Sequence, residues 1–308
     1  MTKYLITVVG PTAIGKTSLS IKLANHFKTE IISCDSRQFF KEMTIGTAVP
    51  SQTELDSAKH HFIQNKSIFE NYTVGDFEKE ALENLNFLFE DRDFAVLVGG
   101  SGLYVNAILK GFDTFPEIDT RVRAEVKADY ELFGLKYLQE KLQETDADYY
   151  TFLLKTNPQT LQNPQRLMRF VEVGMGTGKP YSSFLNQEKK QRSFTPIIIG
   201  LEANREDLYQ RINLRVDQMI EEGLVKEAKS LYKNKDLNAL QTVGYRELFE
   251  YFDGKNSLDF AIEEIKKNTR RFAKRQMTWF KRTDNIHWFD YKTDLSEIIH
   301  SIKSTSCR

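Results

Sequence analysis

The chain reads as an α/β fold: a parallel sheet core covered by helices, with a helical insertion domain placed between two of the strands. Three observations predict it. Short, β-branched apolar runs alternate with longer stretches whose apolar residues recur at helical spacing. A glycine-rich turn, Gly10–Thr17, separates the first such run from the first such stretch. From about Glu117 to Lys190, helical stretches and turns continue with no convincing strand.

Taken in order, Leu5–Val9 (L-I-T-V-V) is a buried parallel strand, and Lys16–Phe27, with Leu19, Leu23 and Phe27 on one face, is the helix after it. Glu30–Ser33 is a second strand, ending at Cys34-Asp35-Ser36. Thr73–Phe89 is a helix that Thr73 can cap. Phe94–Val98 (F-A-V-L-V) is a third strand, closed by Gly99-Gly100 and followed by a helix to Leu109. Strand character returns at Pro196–Leu201. A long amphipathic helix follows at about Arg205–Glu222, stopped by Gly223. A final helix covers about Leu258–Arg282, and Ile286–Phe289 makes a last strand. The expected domains are a core of residues 1–116 and 192–308 and an insertion of residues 117–191.

The 308 residues suffice for one large or two modest domains, and 40% hydrophobic with 28% charged residues is ordinary for a globular protein. Lys plus Arg and Asp plus Glu both number 43, so whole-molecule charge points to no partner and any nucleic-acid surface must be local. Cys34 and Cys307 lie far apart and outside any C-x-x-C pair, so neither a disulfide nor a zinc site is expected. No apolar run approaches the ~18 residues of a membrane span, and Met1–Gly10 is too short for a signal peptide. A cytoplasmic location is therefore expected, with no membrane partner.

Gly10-Pro11-Thr12-Ala13-Ile14-Gly15-Lys16-Thr17 fits G-x-x-x-x-G-K-[ST] and falls between strand and helix, the context that motif requires. Glycines let the backbone wrap a phosphate chain, successive N–H groups point inward, and the following helix offers its positive end. Lys16 supplies a point charge, and the Thr17 hydroxyl suits Mg²⁺. The core is thus P-loop NTPase-like, and the loop would bind a diphosphate, a nucleotide's included, without fixing the chemistry. In ATPases the companion is an Asp ending an apolar strand. The third strand here ends in Gly99-Gly100, and the acid instead ends the second, at Asp35. A carboxylate at that edge can accept a proton from an attacking nucleophile, or can cap a turn with Ser36.

Other features are weaker alone. Asp35-Ser36-Arg37-Gln38 offers side chains that can read bases and phosphates, or it is an ordinary polar loop. Ile265–Arg282 holds Lys266, Lys267, Arg270, Arg271, Lys274, Arg275, Lys281 and Arg282 without an acid, with Phe272, Trp279 and Phe280 interleaved. That is either a phosphate-binding stripe or a solvated amphipathic face. Arg166 and Arg169 share a helical face. His60-His61 invites a metal reading, but adjacent histidines on a helix point apart, so a structural role is expected.

Together these segments resemble the bacterial tRNA dimethylallyltransferase (tRNA isopentenyltransferase) family. The residues that carry the resemblance are Gly10–Thr17, D-S-R-Q at Asp35–Gln38, I-G-T-A at Ile45–Ala48 and V-G-G-S-G-L-Y at Val98–Tyr104. They continue with N-P-Q-R-L-M-R at Asn163–Arg169, V-G-Y-R-E-L at Val243–Leu248 and T-R-R-F-A-K-R-Q-M-T-W-F at Thr269–Phe280. They follow family order over nearly the full chain. Ile14 stands where a small residue is usual, Phe39-Phe40 replaces Val-Tyr, and Ala48-Val49-Pro50 lacks the usual Lys; none of these removes a group with a chemical role. The resemblance implies transfer of a dimethylallyl group from dimethylallyl diphosphate, held in the loop with Mg²⁺, to N6 of an adenosine flipped out beside the anticodon. It implies Asp35 as general base, with Lys16, Thr17 and Arg215 serving the diphosphate. It assigns contacts with the tRNA anticodon stem-loop to Asp35, Ser36, Arg37, Gln38, Ser101, Arg123, Gln165, Arg166, Leu167, Met168 and Arg169. A large RNA substrate gives no reason to require a dimer, so a monomer is expected. The competing enzyme reading is a P-loop nucleotide or nucleoside kinase, and a third is a nucleotide-gated RNA-binding protein without chemistry.

Overall fold

The structure is a computed structural model and describes residues 2–185 and 191–306; Cys307, named above, lies outside them. Packing divides the chain into two compact units, Met1–Lys110 with Gln191–Arg308, and Gly111–Lys190.

In the first unit, β1 (Tyr4–Val9), β2 (Ile31–Ser33), β3 (His60–His61), β4 (Phe94–Val98), β5 (Thr195–Glu202) and β6 (Ile286–Asp290) form one sheet in the order β3-β2-β4-β1-β5-β6. Every pairing is parallel. Such a sheet is covered on both faces, which is why β1 is an unbroken apolar run, buried from Leu5 to Val9. The helices of this unit are α1 (Lys16–Phe27), α2 (Gln52–Ser57), α3 (Val74–Asp91) and α4 (Gly102–Leu109). One face is closed by Phe77, Ala81, Leu85 and Leu88 of α3 with Val105 and Ile108 of α4. Thr73 caps α3 as its sequence predicts, in a reciprocal box with Asp76.

The second unit holds α5 (Thr120–Thr145), α6 (Ala147–Thr156) and α7 (Pro164–Thr177), and no strand among its described residues. Val126, Leu138 and Leu142 of α5 pack with Leu153, Leu167, Phe170 and Val171 into a separate core. Gly134, at φ 73, interrupts α5 with a kink.

Back in the first unit come α8 (Arg205–Glu221), α9 (Leu224–Leu231), α10 (Tyr245–Phe252), α11 (Leu258–Phe280) and α12 (Leu295–Ser306). Leu19 and Leu23 of α1, Leu208 and Ile212 of α8, and Ile298 and Ile302 of α12 close the other face of the sheet. A third cluster joins α9, α10 and α11 to Met43 through Leu224, Ala228, Leu248, Phe249 and Ile265.

Two expectations are corrected. His60-His61 is a two-residue edge strand, not part of a helix, because it pairs with Ile31 and Ile32 of β2. Its rings have structural partners: His61 Nε2 meets Glu30 at 2.6 Å and His60 Nδ1 meets the Ala58 carbonyl at 2.8 Å. The last helix is not the Leu258 helix but α12, whose Ile298 and Ile302 complete the core.

Candidate active site

The loop from Gly10 to Thr17 joins the carboxyl end of β1 to the start of α1, and β2 and β4 end beside it. In parallel sheets this edge is where ligands bind. A cavity of about 880 Å³ opens there, lined by Thr12 to Thr17, Asp35, Gln38, Thr47, Arg211, Arg215 and Gln276 among others. Of the eight loop residues, Gly10 and Pro11 are not on its wall. Ile14, the departure in the loop, is buried in the apolar cluster with Leu19 and Leu23 of α1, so the larger side chain is accommodated by the core while the residue also lines the cavity.

Lys16 folds back to the loop, donating to the Pro11 carbonyl at 2.7 Å. Burial lowers its pKa to about 8; Asp35 opposes that shift and Arg215 adds to it. Arg215 reaches the loop from α8 and donates to Thr12 Oγ1 at 3.3 Å, and burial lowers its pKa too. Arg211, one turn earlier on α8, donates to the Ala13 carbonyl at 2.8 Å. Three cations from two elements therefore serve one loop, as an anion site requires.

Asp35 sits where β2 ends and lines the cavity. Its Oδ1 accepts the Arg37 N–H at 3.1 Å, so the carboxylate is oriented by the very turn that it caps. The capping and functional readings of Asp35 are compatible. The rest of the D-S-R-Q segment is used largely within the protein. Ser36 is in the turn; Arg37 donates to the carbonyls of Asn238 and Ala239; Gln38 donates to those of Thr47 and Ala48. Ser101 precedes α4 and its hydroxyl makes no capping bond.

Two motifs turn out to be one assembly. Glu227 of α9 accepts the N–H groups of Thr44, Ile45 and Gly46 and the Tyr245 hydroxyl, at 2.6–3.1 Å. Gly46 lies flat on the buried Tyr245 ring, and a Cβ there would come within 2.6 Å of it. This explains I-G-T-A and V-G-Y-R-E-L together: they hold the cavity wall at Ile45–Ala48 in place.

The second unit's assigned residues divide. Leu167 is a correction: it is fully buried in that unit's core and has no surface to offer RNA. Gln165 and Arg166 are exposed, and Met168 and Arg169 are half-buried. Asn163 caps α7 by accepting the Arg166 N–H, and the Arg166 guanidinium donates to Thr160 Oγ1. Arg169 and Arg123 both pair with the buried Glu172, at 2.9 and 3.4 Å.

The basic stripe of α11 is also divided. Lys266 pairs with Asp217 of α8, Arg270 donates to Asn213 of α8, and Lys267 pairs with Glu264. Lys266 and Arg270 are packing groups, because that side of α11 lies against α8, whereas Lys267 pairs within its own helix. Arg271, Lys274 and Arg275 remain exposed. Gln276 and Arg211 were missed as site residues. The spacing of Arg211 and Arg215 at i, i+4 was the available signal for Arg211. Gln276 had none, since a glutamine in a basic helix looks like a surface residue.

The family model for IPP transferase matches residues 38–283. A tRNA dimethylallyltransferase of Flavobacterium johnsoniae is 73% identical over 97% of this chain and 97% of its own length. The crystal structure of a tRNA isopentenylpyrophosphate transferase from Bacillus halodurans superposes with a TM-score of 0.71 at 37% identity, covering 99% of this chain and 96% of the other. A eukaryotic dimethylallyltransferase acting on tRNA gives a TM-score of 0.78 at 28% identity, over 96% of this chain and 75% of that one. The phosphate loop, the Asp35 turn and the arginines of α8 thus stand in a chain that belongs to the IPP transferase family.

Proposed function

We propose that this chain is a tRNA dimethylallyltransferase, moving a dimethylallyl group from dimethylallyl diphosphate to N6 of the adenosine 3′-adjacent to the anticodon and releasing diphosphate. The observation that carries the reading is the single cavity in which a phosphate loop with two arginines faces the carboxylate of Asp35, in a member of this family.

The chemistry follows from what those groups can do. The loop amides, Lys16, Arg211 and Arg215 hold the diphosphate. As the N6–C1 bond forms and the C1–O bond breaks, negative charge grows on the leaving diphosphate, and these cations are already in place to receive it. Asp35 accepts the proton that N6 loses. An exocyclic amine is a weak nucleophile, so positioning and leaving-group stabilisation supply most of the rate. Mg²⁺ fits the donor chemistry here. Thr17 lies on the cavity wall at the start of α1, so its hydroxyl together with oxygens of the diphosphate would hold the ion. Bound there, it would neutralise charge on the leaving group.

The exposed Gln165 and Arg166 with the half-buried Met168 and Arg169, and Arg123, contact the anticodon stem-loop in this reading. Ser36, Arg37, Gln38 and Ser101 contact the tRNA as well in this reading, with Gln38 on the cavity wall. ATP carries the same phosphates and would compete for the loop. The enzyme acts as a cytoplasmic monomer; no helix among the described residues is long and apolar enough to cross a membrane.

The test is incubation with radiolabelled dimethylallyl diphosphate, unmodified tRNA and Mg²⁺. Label in the tRNA supports the reading. Phosphoryl transfer from ATP to a nucleoside, with no label in tRNA, would make the chain a kinase instead.

A further inference from the structure

Gln276 lies in the penultimate turn of α11 and is 6% exposed, one of few polar side chains buried so deeply. Its two ends engage two different backbone segments. Oε1 accepts the Thr12 N–H at 2.9 Å, and Nε2 donates to the Gly100 carbonyl at 2.9 Å. Thr12 is the third residue of the phosphate loop, and Gly100 closes the turn after β4. A carboxamide can accept at one end while donating at the other, which neither a carboxylate nor an ammonium can do. Gly100 leaves it the room: a Cβ there would sit 2.2 Å from Nε2. The same Cβ position is 3.7 Å from the Lys16 ammonium, so the link runs beside the loop's lysine.

We propose that Gln276 is a positioning residue for the diphosphate. By taking the Thr12 N–H, it fixes the entrance of the loop and leaves the amides that follow for the anion. Through Gly100 it holds the turn after β4, whose Gly99 lines the cavity. It also ties the loop to α11, so one helix supports the phosphate site from its buried side while presenting Arg271, Lys274 and Arg275 outward. The inference rests on the reading that the loop holds a prenyl diphosphate.

The test uses the full chain in four forms: wild type, Gln276→Ala, Gln276→Glu and Gly100→Ala. For each, KM for dimethylallyl diphosphate and kcat are measured, with calorimetric affinity for inorganic diphosphate, tRNA affinity and melting temperature. Gln276→Ala orphans two buried backbone groups beside the anion, and Gly100→Ala displaces the carboxamide without removing it. Both should raise KM and the diphosphate dissociation constant about tenfold, with kcat and tRNA affinity within about threefold of wild type. Gln276→Glu keeps the acceptor but loses the donor and adds a like charge, so it should bind diphosphate most weakly. Unchanged diphosphate affinity in Gly100→Ala or Gln276→Ala overturns the proposal. So does a parallel fall in KM performance, kcat, tRNA affinity and melting temperature, which would make Gln276 a core residue only. A wild type that binds diphosphate but prenylates no tRNA refutes the proposed function and leaves this positioning role to be read from diphosphate affinity alone.

Discussion

Lys16 and Asp35 occupy the same cavity yet depend on different surroundings. Lys16 is held against the Pro11 carbonyl, and burial brings its pKa to about 8 in the free protein. Above that pH the lysine loses its charge, and a bound diphosphate must restore it by drawing in a proton. The KM for prenyl diphosphate is therefore expected to rise as pH climbs past about 8, and binding at about pH 9 should take up a proton. Calorimetry in buffers of different ionisation heat measures this directly; binding without uptake at that pH would contradict the assigned environment. Lys16→Ala should lower turnover while leaving tRNA affinity nearly unchanged, and a collapse of tRNA binding would mean that the loop holds RNA phosphate. For Asp35→Ala, the turn keeps its backbone bonds, so the fold should survive. Single-turnover transfer should fall roughly 10²–10⁴-fold. A rate within a few-fold of wild type would remove Asp35 from the mechanism.

At the scale of elements, α9 and α7 carry the sharpest expectations. The Glu227 carboxylate of α9 gathers the Thr44, Ile45 and Gly46 amides with the Tyr245 hydroxyl. Glu227→Ala strips a charged acceptor from this group, and chemical denaturation should show a loss of about 2–3 kcal/mol or more. A smaller loss than about 0.5 kcal/mol would show that the loop is held by packing alone. On α7, Arg166→Ala with Arg169→Ala should raise the tRNA dissociation constant and flatten its salt dependence, because fewer counterions are released. Superimposable salt series would reject that role. These elements also show where sequence stops being informative. The strands β1 and β4 and helix α1 are legible because burial on both faces leaves long apolar runs and the loop punctuates them. β3 is not, since two polar histidines owe their strand conformation entirely to the neighbouring β2. α11 was placed correctly, but its positive stripe concealed that Lys266 and Arg270 belong to the α8 interface. Charge counted along a sequence cannot tell a solvated cation from one with a partner on another helix.

For the whole molecule, the sheet order places the ends of β1, β2 and β4 side by side, and this is what joins phosphate loop, Asp35 and the Gly99-Gly100 turn into one site. The loop, Asp35 and Arg215 could be named from sequence because their motifs are local or because the family resemblance supplied them. Gln276 needed the fold and Arg211 had only its spacing from Arg215 as a signal, since what matters is that α8 and α11 deliver them to a loop 198 and 264 residues earlier. The second unit has its own core and no strand among its described residues, so its chain leaves and rejoins the first unit without adding to the sheet. Prenyl transfer to one adenine in this cavity is the proposed activity on which every role above depends. The most direct measurement is mass spectrometry of nuclease-digested tRNA after reaction with dimethylallyl diphosphate and Mg²⁺, comparing wild type with Asp35→Ala. The wild type is expected to add one C5H8 unit on N6 of the adenosine 3′ to the anticodon, and the variant little or none. An unmodified adenosine with the wild type, or equal modification by the variant, would contradict it.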